Sequence, residues 1–191
     1  MDLSVVVPAF NEADSLPELA EWVNSVCNSS SLSYELIIID DGSNDSTWEV
    51  ISDLGRKYPT VKAVRFRRNY GKAAALHTGF EESQGDVVIT MDADMQDSPD
   101  EIPDLVRMVR QEGYQVVSGW KKKRYDPFIK RHTSKLYNYT ARRFSGIKLH
   151  DFNCGLKAYD AEVVKSIEVF GEMHRYIPML AKEAGFRKIG E

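Results

Sequence analysis

The sequence predicts an α/β domain built on a parallel, doubly wound sheet, and three observations carry that prediction. Short apolar, β-branched runs recur at residues 3–7, 36–39, 61–66, 87–89 and 114–118. Stretches with helical spacing of apolar residues separate them. Acidic residues then follow three of the runs at the same end: Glu12, the pair Asp40/Asp41, and the pair Asp92/Asp94. Strand–helix alternation at this spacing specifies parallel βαβ units. Ligands of such sheets sit outside the carboxyl ends of the strands. Random surface acids would not choose one end of the sheet three times.

The elements follow in order. The run 3–7 reads as a central strand ended by Pro8. Asn11 to Ser15 supplies turn and cap chemistry, and Leu19, Ala20, Val23 and Val26 carry a helical stripe. The fully apolar run 36–39 is a second strand. Asn44, Asp45, Ser46 and Thr47 offer N-caps for a helix through about Tyr58. A third strand, 61–66, leads through Asn69-Tyr70-Gly71-Lys72 into an Ala-rich helix ending near Glu82. The fourth strand ends in carboxylates. Ile102, Leu105, Val106 and Val109 mark the next helix, and 114–118 is a fifth strand. Beyond it, a helix is expected over 129–144, a strand over 156–159, helices over 161–170 and 174–184, and strand character over 186–191.

Composition narrows the function. The chain has 191 residues, 42% hydrophobic and 28% charged, which suits one soluble domain with an ample core. A net charge of −4 argues against nucleic acid as a partner. Cys27 and Cys154 have no metal spacing and read as free, half-buried thiols of a reducing compartment. The strand-like run starting directly after Met1 leaves no room for a signal peptide. No apolar stretch approaches the ~20 residues of a membrane helix. His77, His132 and His174 share no metal-ligand spacing and read as structural or surface residues.

The stretch Ile89 to Asp97 organises the chain. Asp92 and Asp94 sit two apart at a strand end, where both carboxylates can converge on one point. Carboxylates that close repel unless a cation joins them. Mg²⁺ is held by one or two such groups plus substrate phosphates. Gln96 adds a neutral oxygen. The bland alternative is an acidic, solvated turn before a capped helix. After Gly119 the chain turns basic and aromatic, from Trp120 through Lys121 and Arg124 to Arg131. That stretch is either a solvated face or a cationic wall meeting phosphate on a ligand or membrane. Tyr137 and Tyr139 read as packing residues.

Four ordered motifs name a family. Residues 4–12 (Ser-Val-Val-Val-Pro-Ala-Phe-Asn-Glu), Asp40-Asp41-Gly42-Ser43, Asn69-Tyr70-Gly71-Lys72 and Asp92-Ala93-Asp94-Met95-Gln96 together resemble glycosyltransferase family 2. Asp151-Phe152-Asn153-Cys154-Gly155-Leu156-Lys157 is similar to a later segment of its dolichol- and undecaprenyl-phosphate sugar synthase branch. The resemblance implies a GT-A, Rossmann-like nucleotide-diphospho-sugar transferase fold with a mostly parallel sheet. Residues 1–119 would form the nucleotide-sugar half and 120–191 the acceptor side. Two departures stand out. Gly119-Trp120-Lys121 replaces a Gly-x-Arg, and Lys cannot bind phosphate bidentately. Similar proteins also continue past the position of Glu191 into membrane helices, so a truncated catalytic domain is expected.

The resemblance also implies roles. Pro8, Phe10, Glu12, Ile39 and Asp41 would hold base and ribose, with Lys72 at base or diphosphate. Asp92 and Ala93 would contact the nucleotide sugar, and Lys121 and Arg124 its phosphate side. Asp92, Asp94 and Gln96 would hold Mg²⁺ or Mn²⁺. Asp94 and Asp151 are the catalytic candidates. Asp151 would be a general base for a sugar-hydroxyl acceptor, or a positioning residue for a polyprenyl phosphate. The donor would be a nucleotide-diphospho-sugar, and the full-length protein would work at the cytoplasmic face of a membrane. A sugar-1-phosphate nucleotidyltransferase would open with a Gly-rich loop carrying Arg, which Pro8-Ala9-Phe10-Asn11 is not. A Rossmann oxidoreductase would need a G-x-G-x-x-G after Val7. A non-catalytic nucleotide-sugar module remains a competing reading that turnover would separate.

Overall fold

The computed structural model describes residues 1–120, 138 and 140–191. Seven strands form one sheet in the order β3-β2-β1-β4-β6-β5-β7. They are β1 (Leu3–Ala9), β2 (Tyr34–Asp40), β3 (Val61–Arg65), β4 (Val87–Thr90), β5 (Val116–Ser118), β6 (Lys157–Asp160) and β7 (Ile189–Gly190). The β1–β2, β2–β3, β1–β4 and β5–β7 pairings are parallel, whereas β6 runs antiparallel to both its neighbours, β4 and β5. The sheet is therefore mostly parallel, as expected, but the fifth strand does not lie beside the fourth.

Helices cover both faces. They are α1 (Leu16–Ser29), α2 (Thr47–Lys57), α3 (Lys72–Glu82), α4 (Ile102–Arg110), α5 (residues 140–145), α6 (Ala161–Ser166) and α7 (Ile177–Glu183). The period-2 alternation of strands sorts the core into two layers. Val5 and Val7 of β1, Leu36 and Ile38 of β2 and Ile89 of β4 pack with residues of α1, α2 and α4. Val6, Ile37, Ile39 and Val88 face the other way, toward α3, α6 and α7. The α3 helix lies directly on β1, because a Cβ at Gly79 would overlap Val6. Nothing larger than glycine permits that approach.

Local chemistry fixes the ends. The Asp45 carboxylate accepts from Thr47 N–H (3.0 Å) and opens α2. The Asp160 carboxylate accepts from Glu162 N–H (2.9 Å) and opens α6. That helix stops at Ser166, short of the expected 170, because Ile167 is extended (φ −120°, ψ 144°). The last helix begins at Ile177 with Pro178 in its first turn, so His174 lies in a preceding 3-10 turn, Met173–Arg175. Strand β5 starts at Val116 rather than 114, and the final strand is confined to Ile189–Gly190. Of the helix expected over 129–144, the described part runs to residue 145.

The cysteines are a correction. Both are buried, at 0% and 3% exposure, not half-buried. Burial pushes the Cys27 thiol up to about 12 and the Cys154 thiol up to about 11.

Candidate active site

The carboxyl ends of β1, β2 and β4 open onto one cleft of about 280 Å³. Pro8, Ala9, Phe10 and Glu12 line it from the end of β1, and Asp41 from the end of β2. Asn69, Gly71 and Lys72 line it from the segment entering α3, and Asp92, Ala93 and Asp94 from the end of β4. Two turns that bring acids to this mouth contain a residue in the left-handed region, Asn11 (φ 57°) and Met95 (φ 60°). Such backbone is costly for a non-glycine residue and clusters at functional sites.

Asp41 is nearly buried, at 4% exposure. Its Oδ1 accepts from Tyr70 N–H (2.7 Å) and its Oδ2 from Gly71 N–H (2.9 Å). It therefore fixes the loop that launches α3. Lys72, the first residue of α3, donates its ammonium to Asp92 Oδ1 in an ion pair. Behind Asp92 lies Gly155, where a Cβ would overlap Cγ and both carboxylate oxygens. Gly155 is itself tied to β4, since its carbonyl accepts from Thr90 Oγ1 (2.9 Å). Asp94 is exposed, and its Oδ1 accepts from Gln96 N–H (3.1 Å).

Other expected residues stand apart from this wall. Ile39 is fully buried on the α3 face of the sheet and is not among the residues lining the cleft. Gln96 is exposed beside the cleft and does not line it. Asp151 is 2% exposed. Its Oδ1 accepts from Asn153 N–H (3.0 Å), its carbonyl accepts from the Ser118 hydroxyl (3.0 Å), and it too lies off the cleft wall. Lys121, Arg124, His132, Tyr137 and Tyr139 fall outside the described residues.

Sequence reasoning assigned no role to Gly155 or Lys157, although both belong to a motif it recognised. Lys157 is buried at 4% exposure and donates to the Cys154 carbonyl. Burial pushes its ammonium below the usual lysine range, and Lys72 adds to this, while Cys154, Asp151 and Asp92 oppose it. A basic run at 65–68 was readable but unused. Arg65, Arg67 and Arg68 line a second hollow of about 580 Å³ that shares Phe10 and Asn69 with the cleft. Arg68 stacks over Tyr70 at 4.3 Å.

The donor set suits a hard divalent ion. Asp92 and Asp94 present carboxylate oxygens at one wall, the number of protein ligands Mg²⁺ commonly takes when phosphates complete its shell. Among the described residues no group of three or more His, Cys, Asp or Glu could hold a metal unaided. Such a site needs the ligand's own oxygens.

The profile of "Glycosyl transferase family 2" matches residues 4–168. The chain belongs to that family. Its relatives include undecaprenyl-phosphate 4-deoxy-4-formamido-L-arabinose transferase of Aeromonas hydrophila subsp. hydrophila, 39% identical over 98% of this chain and 57% of the relative. Dodecaprenyl-phosphate galacturonate synthase of Rhizobium johnstonii is 38% identical over 93% of this chain and 53% of its own. The chain thus spans about half the length of these relatives. Among solved structures, glucosyl-3-phosphoglycerate synthase of Mycobacterium tuberculosis superposes with a TM-score of 0.77 at 22% identity, covering 99% of this chain and 68% of that one. A mannosyltransferase of Pyrobaculum calidifontis, in complex with GDP-Man and Mn²⁺, gives 0.73 at 21% identity, over 99% and 54%. These two establish the GT-A fold of this family 2 chain.

Proposed function

We propose that this chain carries the donor site and catalytic core of an inverting glycosyltransferase that moves a sugar from a nucleotide-diphospho-sugar to a polyprenyl phosphate. The observation that carries the reading is the single cleft where Phe10, Asp41, Lys72, Asp92 and Asp94 meet. Phe10, 41% exposed, offers an aromatic face to a base. Asp41 holds the loop between the base side and Lys72. Lys72 supplies a cation for the diphosphate. A Mg²⁺ or Mn²⁺ ion at Asp92 and Asp94 would supply Lewis-acid stabilisation of the leaving nucleoside diphosphate.

In the reaction the anomeric C–O bond to the diphosphate breaks through an oxocarbenium-like transition state. An acceptor oxygen forms the new bond from the opposite face and inverts the centre. A lipid phosphate has a second pKa near 6 and arrives largely ionised. It needs no general base, which fits an Asp151 that is buried and bonded to a backbone N–H. Asp151 is then a positioning residue. The names of both curated relatives, which specify polyprenyl-phosphate products or substrates, support the same acceptor. The full-length protein would act at the cytoplasmic face of a membrane; among the described residues no helix is long and apolar enough to cross one.

Thermal-shift measurement with UDP, GDP, CDP and ADP, each with Mg²⁺ or Mn²⁺, tests the donor site. At 100 times its Kd the matching nucleotide stabilises by about 2.7 kcal/mol. A flat response to all four would reject the donor site. Transfer from a labelled donor to a polyprenyl phosphate by the full-length protein tests the acceptor. Transfer to a saccharide hydroxyl instead would reject the lipid phosphate.

A further inference from the structure

Asp92 is held from two sides. Gly155 closes the space behind it, leaving no room for the carboxylate to withdraw. On the cleft side Lys72 donates to Oδ1. Both partners are partly open, with side-chain exposures of 35% for Lys72 and 29% for Asp92. A cation approaching Asp92 from the cleft therefore meets a carboxylate that already has a cation. The pair is open enough for water to reach both groups, so an incoming cation must compete with Lys72 for Oδ1 rather than break a sealed contact.

The backbone before Lys72 is fastened at a different place. Tyr70 and Gly71 give their N–H groups to Asp41, at the end of β2. One short segment thus joins Asp41, Lys72 and Asp92, all three on the wall of the same cleft.

We propose that Lys72 is the resident counter-ion of Asp92 in the free protein, and that it makes divalent metal and nucleoside diphosphate bind as a pair. The inference rests on the donor-site reading above. Metal alone must displace the ammonium from Asp92. A diphosphate beside the cleft offers the same ammonium two or more phosphate oxygens, so the lysine leaves Asp92 without losing a charge partner. Asp92 is then open to the metal. By linkage, whatever the nucleotide adds to metal affinity the metal adds to nucleotide affinity. In the free protein the pair also prevents Asp92 and Asp94 from capturing an idle cation.

Metal binding to the free protein reads this directly. Mn²⁺ is titrated by electron paramagnetic resonance without nucleotide, then with saturating UDP, GDP, CDP and ADP in turn. The proteins are wild type, Lys72→Met, Lys72→Arg and Arg68→Met. Thermal melts confirm that each is folded. Lys72→Met should bind Mn²⁺ alone more tightly than wild type, by roughly tenfold, within the usual range of coupling. The further tightening by nucleotide should be smaller in that variant than in wild type. Lys72→Arg, which keeps the ion pair, should behave as wild type. Arg68→Met removes one positive charge near the cleft that does not touch Asp92, and should leave Mn²⁺ affinity unchanged. Equal Mn²⁺ affinity of folded wild type and Lys72→Met without nucleotide would overturn the proposal. So would an equal gain in Arg68→Met, because the effect would then be net charge and not the pair. If none of the four nucleotides tightens Mn²⁺ binding in wild type, the coupling claim fails at that step. If the nucleotide panel is also flat, the donor-site reading fails with it, while the metal-only arm still decides whether Lys72 guards Asp92.

Discussion

Gly155 is seated against the carboxylate of Asp92, so close that a single added carbon would overlap three of its atoms. The two residues come from strand ends that run in opposite directions, β4 and the approach to β6. The motif of the second half of the chain thus acts as the back wall of the motif of the first.

Gly155→Ala is the direct test of that contact. Overpacking at a tight site typically costs ~1–3 kcal/mol. Here part of the cost should appear in ligand binding, because the atom displaced belongs to Asp92. Nucleotide affinity in Mn²⁺, by calorimetry, should fall, while affinity without metal changes little. A variant that loses only thermal stability would mean that Asp92 is not held by this wall for binding.

Asp94→Asn should abolish the metal-dependent part of nucleotide binding and leave the melting temperature near wild type. Asp94 is exposed, and its Oδ1 accepts from the Gln96 N–H (3.1 Å). Calorimetric titration with and without Mn²⁺ measures this. Undiminished affinity in Mn²⁺ would remove Asp94 from the metal site.

Asp41→Ala should be a double loss. Both carboxylate oxygens hold loop N–H groups in a nearly buried place, so stability should fall by ~1–3 kcal/mol in urea melts. Nucleotide affinity should also weaken without metal, because the loop forms one side of the cleft. A binding loss confined to metal-containing buffer would contradict this placement.

Glu35 gives a pH signature far from the site. It lies on β2 near its start, 2% exposed. Burial pushes its carboxyl up, but Lys62 at 2.5 Å, the Ser4 hydroxyl at 2.6 Å and Gln84 N–H at 2.7 Å together hold it below the ordinary value of 4.5. A carboxyl lowered in the folded state adds stability above its ordinary value and loses it as pH falls through the lowered one. The stability advantage of wild type over Glu35→Gln should therefore narrow between neutral pH and about pH 3. A gap that stays constant across that range would show that the fold does not hold the Glu35 carboxyl below its ordinary value.

Much of this was readable in the sequence because it depends on local pattern. Apolar runs 36–39 and 87–89 declare buried strands, and carboxylates directly after them declare which end of the sheet is used. The motifs around Phe10, Asp41, Lys72 and Asp92 do meet in one cleft. What escaped depends on pairing across long separations. Nothing local to residues 157–160 says that this strand inserts antiparallel between β4 and β5. The resemblance that placed Ile39 with the base says nothing of which layer a strand residue faces, and period 2 sends its side chain to the opposite layer from Ile38. Asp41 was assigned to base and ribose by the resemblance, and its two loop partners appear only once residues 70 and 71 fold back on it.

The reversed direction of β6 has a consequence for how such a chain can diversify. Ser118 and Lys157 are register partners, so the chain departs from the sheet after β5 and returns at the neighbouring position. Everything between is an excursion whose two ends stand one strand spacing apart, ~4.8 Å. Lengthening or replacing such an excursion costs little closure entropy, since each doubling adds only ~0.6 kcal/mol. Its return point carries Gly155 against Asp92, so whatever the excursion becomes, it must come back to the same gauge. The fold thereby lets the length of chain between Ser118 and Lys157 vary while the wall behind Asp92 stays in place.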